Sequence, residues 1–274
     1  ATAAASQVNG GDGADSIKLA GTFISSTIYG AGGNDSLSWS GDMGSGNVIS
    51  LGAGEDVFTG KAATILDNST LGAGAGNDAI YFEDSGSIQG GRINLGKGDD
   101  TLFVNGMDVL SGTLFSGTTV YGGAGADYFL KDASGGVDKG TTVVGTQFLY
   151  EANTESVLSA FDTIGYDTPD SGTFDIRYAP GGLTRATIAG SNATGTNGMV
   201  TFTSTFGSTL TARAEHIAAN TSAGDAAAFV DGDGISYLFV KGSSENLLVQ
   251  VGSAAISGAI IDGSMTLSAS KGIS

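Results

Sequence analysis

The 274-residue chain carries 47 glycines, 2 prolines, 1 histidine and no cysteine, and its 28 acidic and 11 basic side chains give a formal charge of −17. No cysteine excludes thiolate nucleophiles, disulfides and zinc knuckles, and a single histidine, His216, excludes an H-E-x-x-H site or any multi-histidine cage. The charge repels phosphate backbones and anionic headgroups, so nucleic acid and membrane insertion are not expected and cations are the natural partner.

Glycine is more than twice as frequent as its usual ~7%, without the period or proline of collagen, and 40% of residues remain apolar, enough for a core. Charged residues are only 14%, which leaves a Ser, Thr, Asn, Gly and Ala surface of extracellular character. The apolar runs fall short of the ~20 residues of a membrane helix, and Ala1 to Gln7 lacks the basic and apolar regions of a signal peptide. The start on Ala1 suggests processing or excision from something larger.

One phrase recurs six times, at 10–15, 30–35, 51–56, 73–78, 95–100 and 122–127, ending on Asp15, Asp35, Asp56, Asp78, Asp100 and Asp127. Glycine stands two residues before each aspartate (Gly13, Gly33, Gly54, Gly76, Gly98, Gly125), and an apolar residue stands two after (Ile17, Leu37, Phe58, Ile80, Leu102, Phe129). The aspartates are 20, 21, 22, 22 and 27 residues apart.

In chain order, each glycine turn leads into a short alternating run such as Ser36 to Trp39 or Asp78 to Phe82. A second apolar run precedes the next turn: Thr27 to Tyr29, Val48 to Leu51, Ile93 to Leu95, Thr119 to Tyr121. Two strands and two turns per ~21 residues describe one coil of a parallel β-solenoid, with ~4.8 Å between coils. Winding would bring the six aspartates into one column, where carboxylates a strand spacing apart repel one another. A hard divalent cation bridging carboxylate and turn carbonyl oxygens relieves this, and calcium tolerates irregular oxygen sets better than magnesium. Five such ions would bring −17 to about −7.

These turns resemble the RTX nonapeptide G-G-x-G-x-D-x-U-x. The copies at Gly10 and Gly122 match in full, while Ala31, Leu51, Ala73 and Leu95 replace one of the paired glycines elsewhere. The resemblance implies Ca²⁺ between adjacent turns, held by the six aspartates and by turn carbonyls. The candidate set adds the second motif position (Gly11, Ala31, Gly52, Gly74, Gly96, Gly123) and the fourth (Gly13, Gly33, Gly54, Gly76, Gly98, Gly125). The family's usual 18-residue coil has calcium turns on both sides. Here the opposite corners, around Gly21, Gly41 to Gly44, Lys61, Gly86 and Gly106 to Asp108, carry no fixed carboxylate, so one ion column is expected.

After Asp127 the phrase stops. The expected organisation is a calcium-binding solenoid at 1–140 and a non-repeating β-rich capping, assembly and secretion part at 141–274. Thr154 to Phe161 reads as a short helix capped by Thr154; Thr173 to Tyr178, Met199 to Thr203 and Thr209 to Arg213 read as strands. Ala228 to Val240 reads as a hairpin turning at Asp231-Gly232-Asp233-Gly234, followed by Leu247 to Val251. Ala226 to Gly252 resembles the strands that close RTX β-rolls exported by type I secretion, and the Ser/Ala-rich end, Ile256 to Ser274, suits an uncleaved C-terminal signal. Asp231 and Asp233 are a further calcium candidate, weighed against an ordinary hairpin turn.

No G-x-S-x-G elbow or G-x-x-x-x-G-K-[ST] loop is present. His216 reads as structural, Glu83-Asp84 as a solvent-facing corner and Trp39 as a packing residue, so no enzyme activity is expected. The fold expectation is all-β, a right-handed parallel β-roll or β-solenoid of about six coils. The functional expectation is a secreted, extracellular structural protein that assembles with itself at the cell surface into an S-layer lattice or filament, with cell-surface polysaccharide a candidate ligand. The alternative is the calcium and secretion module of a larger RTX adhesin or enzyme.

Overall fold

The computed structural model describes residues 2–61, 64–65, 67–83, 87–105, 113–131, 142–164, 173–178, 183–251, 260–261 and 264–268. Ala1, Asp84, Gly86, Gly106 to Asp108, the expected 140/141 boundary and most of the segment from Ile256 lie outside the described residues. The chain is mostly strand, in two large sheets built largely of parallel strands, with one α-helix among the described residues.

Along the repeats the chain alternates between the sheets. The strands entering each glycine turn, Gln7–Asp12, Thr27–Gly32, Val48–Ala53, Thr70–Ala75, Arg92–Lys97 and Thr119–Ala124, pair in parallel in that order. Those leaving it, Ser16–Leu19, Ser36–Trp39, Val57–Gly60, Ala79–Glu83, Thr101–Asn105 and Tyr128–Lys131, do the same in the second sheet. Two strands per repeat is not the whole pattern. Thr64–Ile65, Ser87–Gln89 and Thr113–Ser116 form a third parallel set that joins the first sheet through Thr142–Tyr150, and Thr2–Ala4 pairs with Thr22–Ile24. Repeats of 20 to 22 residues have room for that extra strand, which an 18-residue coil lacks.

Strand alternation sends every second side chain inward, and the fixed register stacks like on like. Ile28, Ile49, Leu71, Ile93, Val120, Phe148 and Ile176 form one buried column in the first sheet. In the second sheet Ile17 pairs with Leu37, Leu37 with Phe58, Phe58 with Ile80 and Ile80 with Leu102. Trp39 is 1% exposed, with its ring edge-on to Phe23 at 5.0 Å, a core residue and not a ligand platform.

The second sheet runs on beyond the repeats, from Tyr128–Lys131 through Asp162–Ile164 to Leu247–Gln250, Ser236–Val240 and Asp225–Val230. The hairpin is thus where the sequence placed it. Both its faces are buried. Ala226, Ala228, Leu238, Val240, Leu247 and Val249 join the core of the repeats, while Ala227, Phe229, Tyr237, Phe239 and Leu248 pack with Ala214 and Ile217 of the helix Leu210–Ala219.

That helix corrects the strand expected at Thr209 to Arg213. Thr209 caps it, its hydroxyl accepting from the Ala212 N–H at 3.3 Å, and the run Leu210, Ala214, Ile217 has helical spacing that a five-residue window hides. The helix expected at Thr154 to Phe161 is a 3-10 turn, Asn153–Glu155, followed by a bridge between Val157 and Ala160. Ser156 is drawn inward there, its hydroxyl donating to the Leu248 carbonyl and accepting from the Asp162 N–H at 2.8 Å, bonds that a continuing helix would break.

Candidate functional site

Each glycine turn projects its middle residues outward and its first and last residues inward, so the aspartates point to the interior. Asp35, Asp56, Asp78, Asp100 and Asp127 are 2% exposed or less, and Asp15, in the first repeat, is half-buried. They stand in a single column with one hydrogen-bond rule. The backbone N–H of each donates to Oδ1 of the next: Asp15 to Asp35 at 2.8 Å, Asp35 to Asp56 at 2.7 Å, Asp56 to Asp78 at 2.8 Å, Asp78 to Asp100 at 2.7 Å and Asp100 to Asp127 at 2.9 Å.

The column has a seventh member that the repeat pattern missed. The Asp127 N–H donates to Oδ1 of Asp162 at 3.0 Å, and Asp162 is fully buried. It follows no glycine turn. The available signal was the fragment Asp162-Thr163-Ile164, which keeps the apolar residue two places after the acid. The Ser156 hydroxyl closes the column by accepting the Asp162 N–H.

From Asp35 to Asp162 one oxygen of each carboxylate is thereby satisfied and the other is not, while Asp15, at the head of the column, has no member before it to donate to its Oδ1. Oδ2 of Asp15, Asp35, Asp56, Asp78, Asp100, Asp127 and Asp162 is buried without a hydrogen-bond partner. Burial, partly offset by the N–H each accepts, pushes the carboxyl of Asp78 up to about 6, and those of Asp100 and Asp162 to about 8. Asp127 rises to about 7 and Asp56 moves the same way, again chiefly through burial. Neighbouring acids add to the rise in each case.

A second buried ladder provides an internal comparison. At the residue preceding the other set of strands, the Ser6 N–H donates to Oγ of Ser26 at 3.1 Å, Ser26 to Oδ1 of Asn47 at 3.0 Å, and Asn47 to Oγ of Ser69 at 3.0 Å. The geometry matches that of the aspartates, down to the carbonyl of each rung accepting from the first strand residue of the next repeat. Neutral side chains therefore suffice to cap these amides. A carboxylate adds nothing to that job except charge and a spare oxygen.

The other candidate positions lie on the rim of the turn. Carbonyls of the second position (Ala31, Gly52, Gly74, Gly96) and the fourth (Gly13, Gly33, Gly54, Gly76, Gly98) are directed at the matching glycine of the next repeat, so close that a Cβ there would overlap the oxygen. Gly11, Gly123 and Gly125 complete the two rows, and Ala31 adopts φ +88° where its counterparts are glycine. Among the described residues no three acid or histidine groups are placed to hold a metal together; the carbonyls that come near the column's Oδ2 atoms are those of Gly30, beside Asp15, and Leu51, beside Asp35, not those of the second and fourth positions. Carboxylate with carbonyl oxygen is a donor set that suits a hard cation.

Three further candidates are accounted for by structure. Asp231 Oδ1 accepts from the N–H groups of Asp233 and Ile235, both at 2.9 Å, and its Oδ2 accepts from the Tyr237 hydroxyl at 3.2 Å. Glu83 pairs with Lys61 at 2.9 Å. His216 lies on the helix against Phe206 and Phe202. Compared with models of known families and with curated proteins, the chain matches none.

Proposed function

We propose that the chain is an RTX-type, right-handed parallel β-solenoid whose aspartate column binds Ca²⁺, and that it works as a secreted structural protein assembling with itself at the cell surface. The observation that carries the calcium reading is the set of seven buried carboxylate oxygens without partners, beside a neutral ladder that performs the same backbone capping without charge. Unpaired buried charge is too costly to persist, so an ionised column needs bridging cations.

The mechanism is electrostatic linkage. Where free calcium is scarce, mutual repulsion and burial of ionised acids oppose winding and keep the chain exportable, as type I secretion requires. Outside the cell, calcium at millimolar levels exceeds the ~10⁻⁴ to 10⁻³ M dissociation constants of extracellular sites, and binding becomes folding free energy. Assembly into an S-layer or filament draws support from the sheet order, which among the described residues leaves Gln7–Asp12 and Ser16–Leu19 at the edges of their sheets. Polysaccharide remains the candidate surface ligand on the strength of the Ser- and Thr-rich composition alone.

The test is chelation followed by circular dichroism and light scattering on one sample. Joint loss of β-structure and assembly, restored by calcium but not by sodium, is the expected result. Spectra and particle size indifferent to chelator would overturn the calcium reading, and a calcium-loaded chain that stays monomeric at all concentrations would overturn assembly.

A further inference from the structure

The last interval of the column, between Asp127 and Asp162, is built unlike the rest. Its upper acid comes from outside any glycine turn, and its floor is Gly122. A Cβ placed on Gly122 would stand 2.6 Å from Oδ2 of Asp127 and 3.0 Å from Oδ2 of Asp162. Both unpartnered oxygens therefore approach one small space beside the Gly122 Cα, bounded on a third side by Cζ of Phe129 at 3.0 Å from the same point. At Gly10 the same construction meets one carboxylate oxygen, of Asp15, and the Gly30 carbonyl; at Gly30 it meets Asp35 and the Leu51 carbonyl. Repeats three to five carry Leu51, Ala73 and Leu95 at this position, so a side chain begins where Gly122 has none.

A third unpartnered oxygen adjoins the space. The Tyr150 hydroxyl is buried, 1% exposed as a residue, and lies beside the Asp162 carboxyl without well-formed hydrogen-bond geometry. The other charges felt by the pair are negative: Asp99 and Glu155 act on Asp127, and Glu155 on Asp162. A proton shared between two carboxylates would cancel one charge, whereas a divalent cation cancels both.

We propose that Asp127, Asp162 and Tyr150, over the gap left by Gly122, form a separate site for a hard divalent cation, calcium in the first instance, that locks the repeats to the C-terminal sheet. The inference rests on the calcium reading above and adds to it a site outside the glycine-turn motif. Its coupling to the C-terminal sheet runs through Ser156, which holds the Asp162 N–H and the Leu248 carbonyl together.

Native mass spectrometry of the full chain in calcium counts the ions. Asp162→Asn keeps Oδ1 for the Asp127 N–H and removes the second charge; Gly122→Ala fills the gap. Each is expected to bind one ion fewer than the parent chain, and the double variant also one fewer, not two. Tyr150→Phe, which keeps the buried ring and deletes only the hydroxyl beside the Asp162 carboxyl, is expected to keep the full count but to release one ion at about tenfold lower chelator concentration. An unchanged count in Asp162→Asn, or unchanged release in Tyr150→Phe, would overturn this site while leaving the remaining column intact. A parent chain that binds no calcium at all would instead overturn the wider reading.

Discussion

Asp100→Asn should change the sign of its effect with calcium, and the structure fixes why. Asn keeps an oxygen for the Asp78 N–H, now at 2.7 Å, and removes a charge whose Oδ2 has no partner. Burial lifts the Asp100 carboxyl from 3.8 to about 8. At about 1.4 kcal/mol per pH unit, holding it ionised in the metal-free fold costs up to ~6 kcal/mol. Solvent screening and relaxation reduce this to about 2 to 3 kcal/mol. Because the folded value lies above the unfolded one, the acid's contribution to stability is fully present below about pH 4 and is lost as pH rises through about 8. In chelator, the variant should therefore be more stable than the parent by about 2 to 3 kcal/mol near pH 8.5, and by under 1 kcal/mol near pH 5. In saturating calcium it should be less stable, having lost a ligand. Urea unfolding followed by circular dichroism under the four conditions reads this directly. A variant destabilised equally in chelator at both pH values would refute the reasoning, since Oδ2 would then have a partner in the metal-free fold.

Ser69→Ala removes the acceptor for the buried Asn47 N–H and should cost about 1 to 2 kcal/mol by urea unfolding, equally with and without calcium, because the side chains that form this ladder are neutral. Gly74→Ala forces a Cβ onto the Gly52 carbonyl at φ +123°, so it should destabilise by more than about 3 kcal/mol and lower the melting temperature even in calcium. Hydrogen exchange during chelation should expose amides in 7–131 before those of Asp225–Val230 and Ser236–Val240, whose buried residues are uncharged; simultaneous exposure would show that the two parts unfold as one.

Sequence spacing revealed the repeats because their register is local: glycine, one residue, aspartate, one residue, apolar side chain. It revealed the hairpin at Asp231 to Gly234 for the same reason. What it missed depends on contacts distant in the chain. Asp162 joins the column 35 residues after Asp127, across an insertion whose glycines do not lead into the repeat phrase. Ser156 leaves helical geometry for a partner 92 residues away, in Leu248. The neutral ladder is hard to read from sequence because serine, common throughout the chain, alternates there with Asn47, and the third strand because two to four residues are too few for a period to register.

The two ladders also separate what winding requires from what the acids add. Over the repeats up to Ser69 both cap an inward-facing amide once per repeat, yet only one carries charge. If capping alone were selected, Ser or Asn at Asp56, Asp78 and Asp100 would give the same hydrogen bonds without the desolvation that lifts those carboxyls. On the calcium reading, the carboxylates would make one edge of the stack conditional on its ionic surroundings while the other edge stays indifferent. A calcium-free chain would then keep the neutral edge's pairing preference in full, so restoring the ions need only close the charged edge, and the register is already specified by the apolar columns.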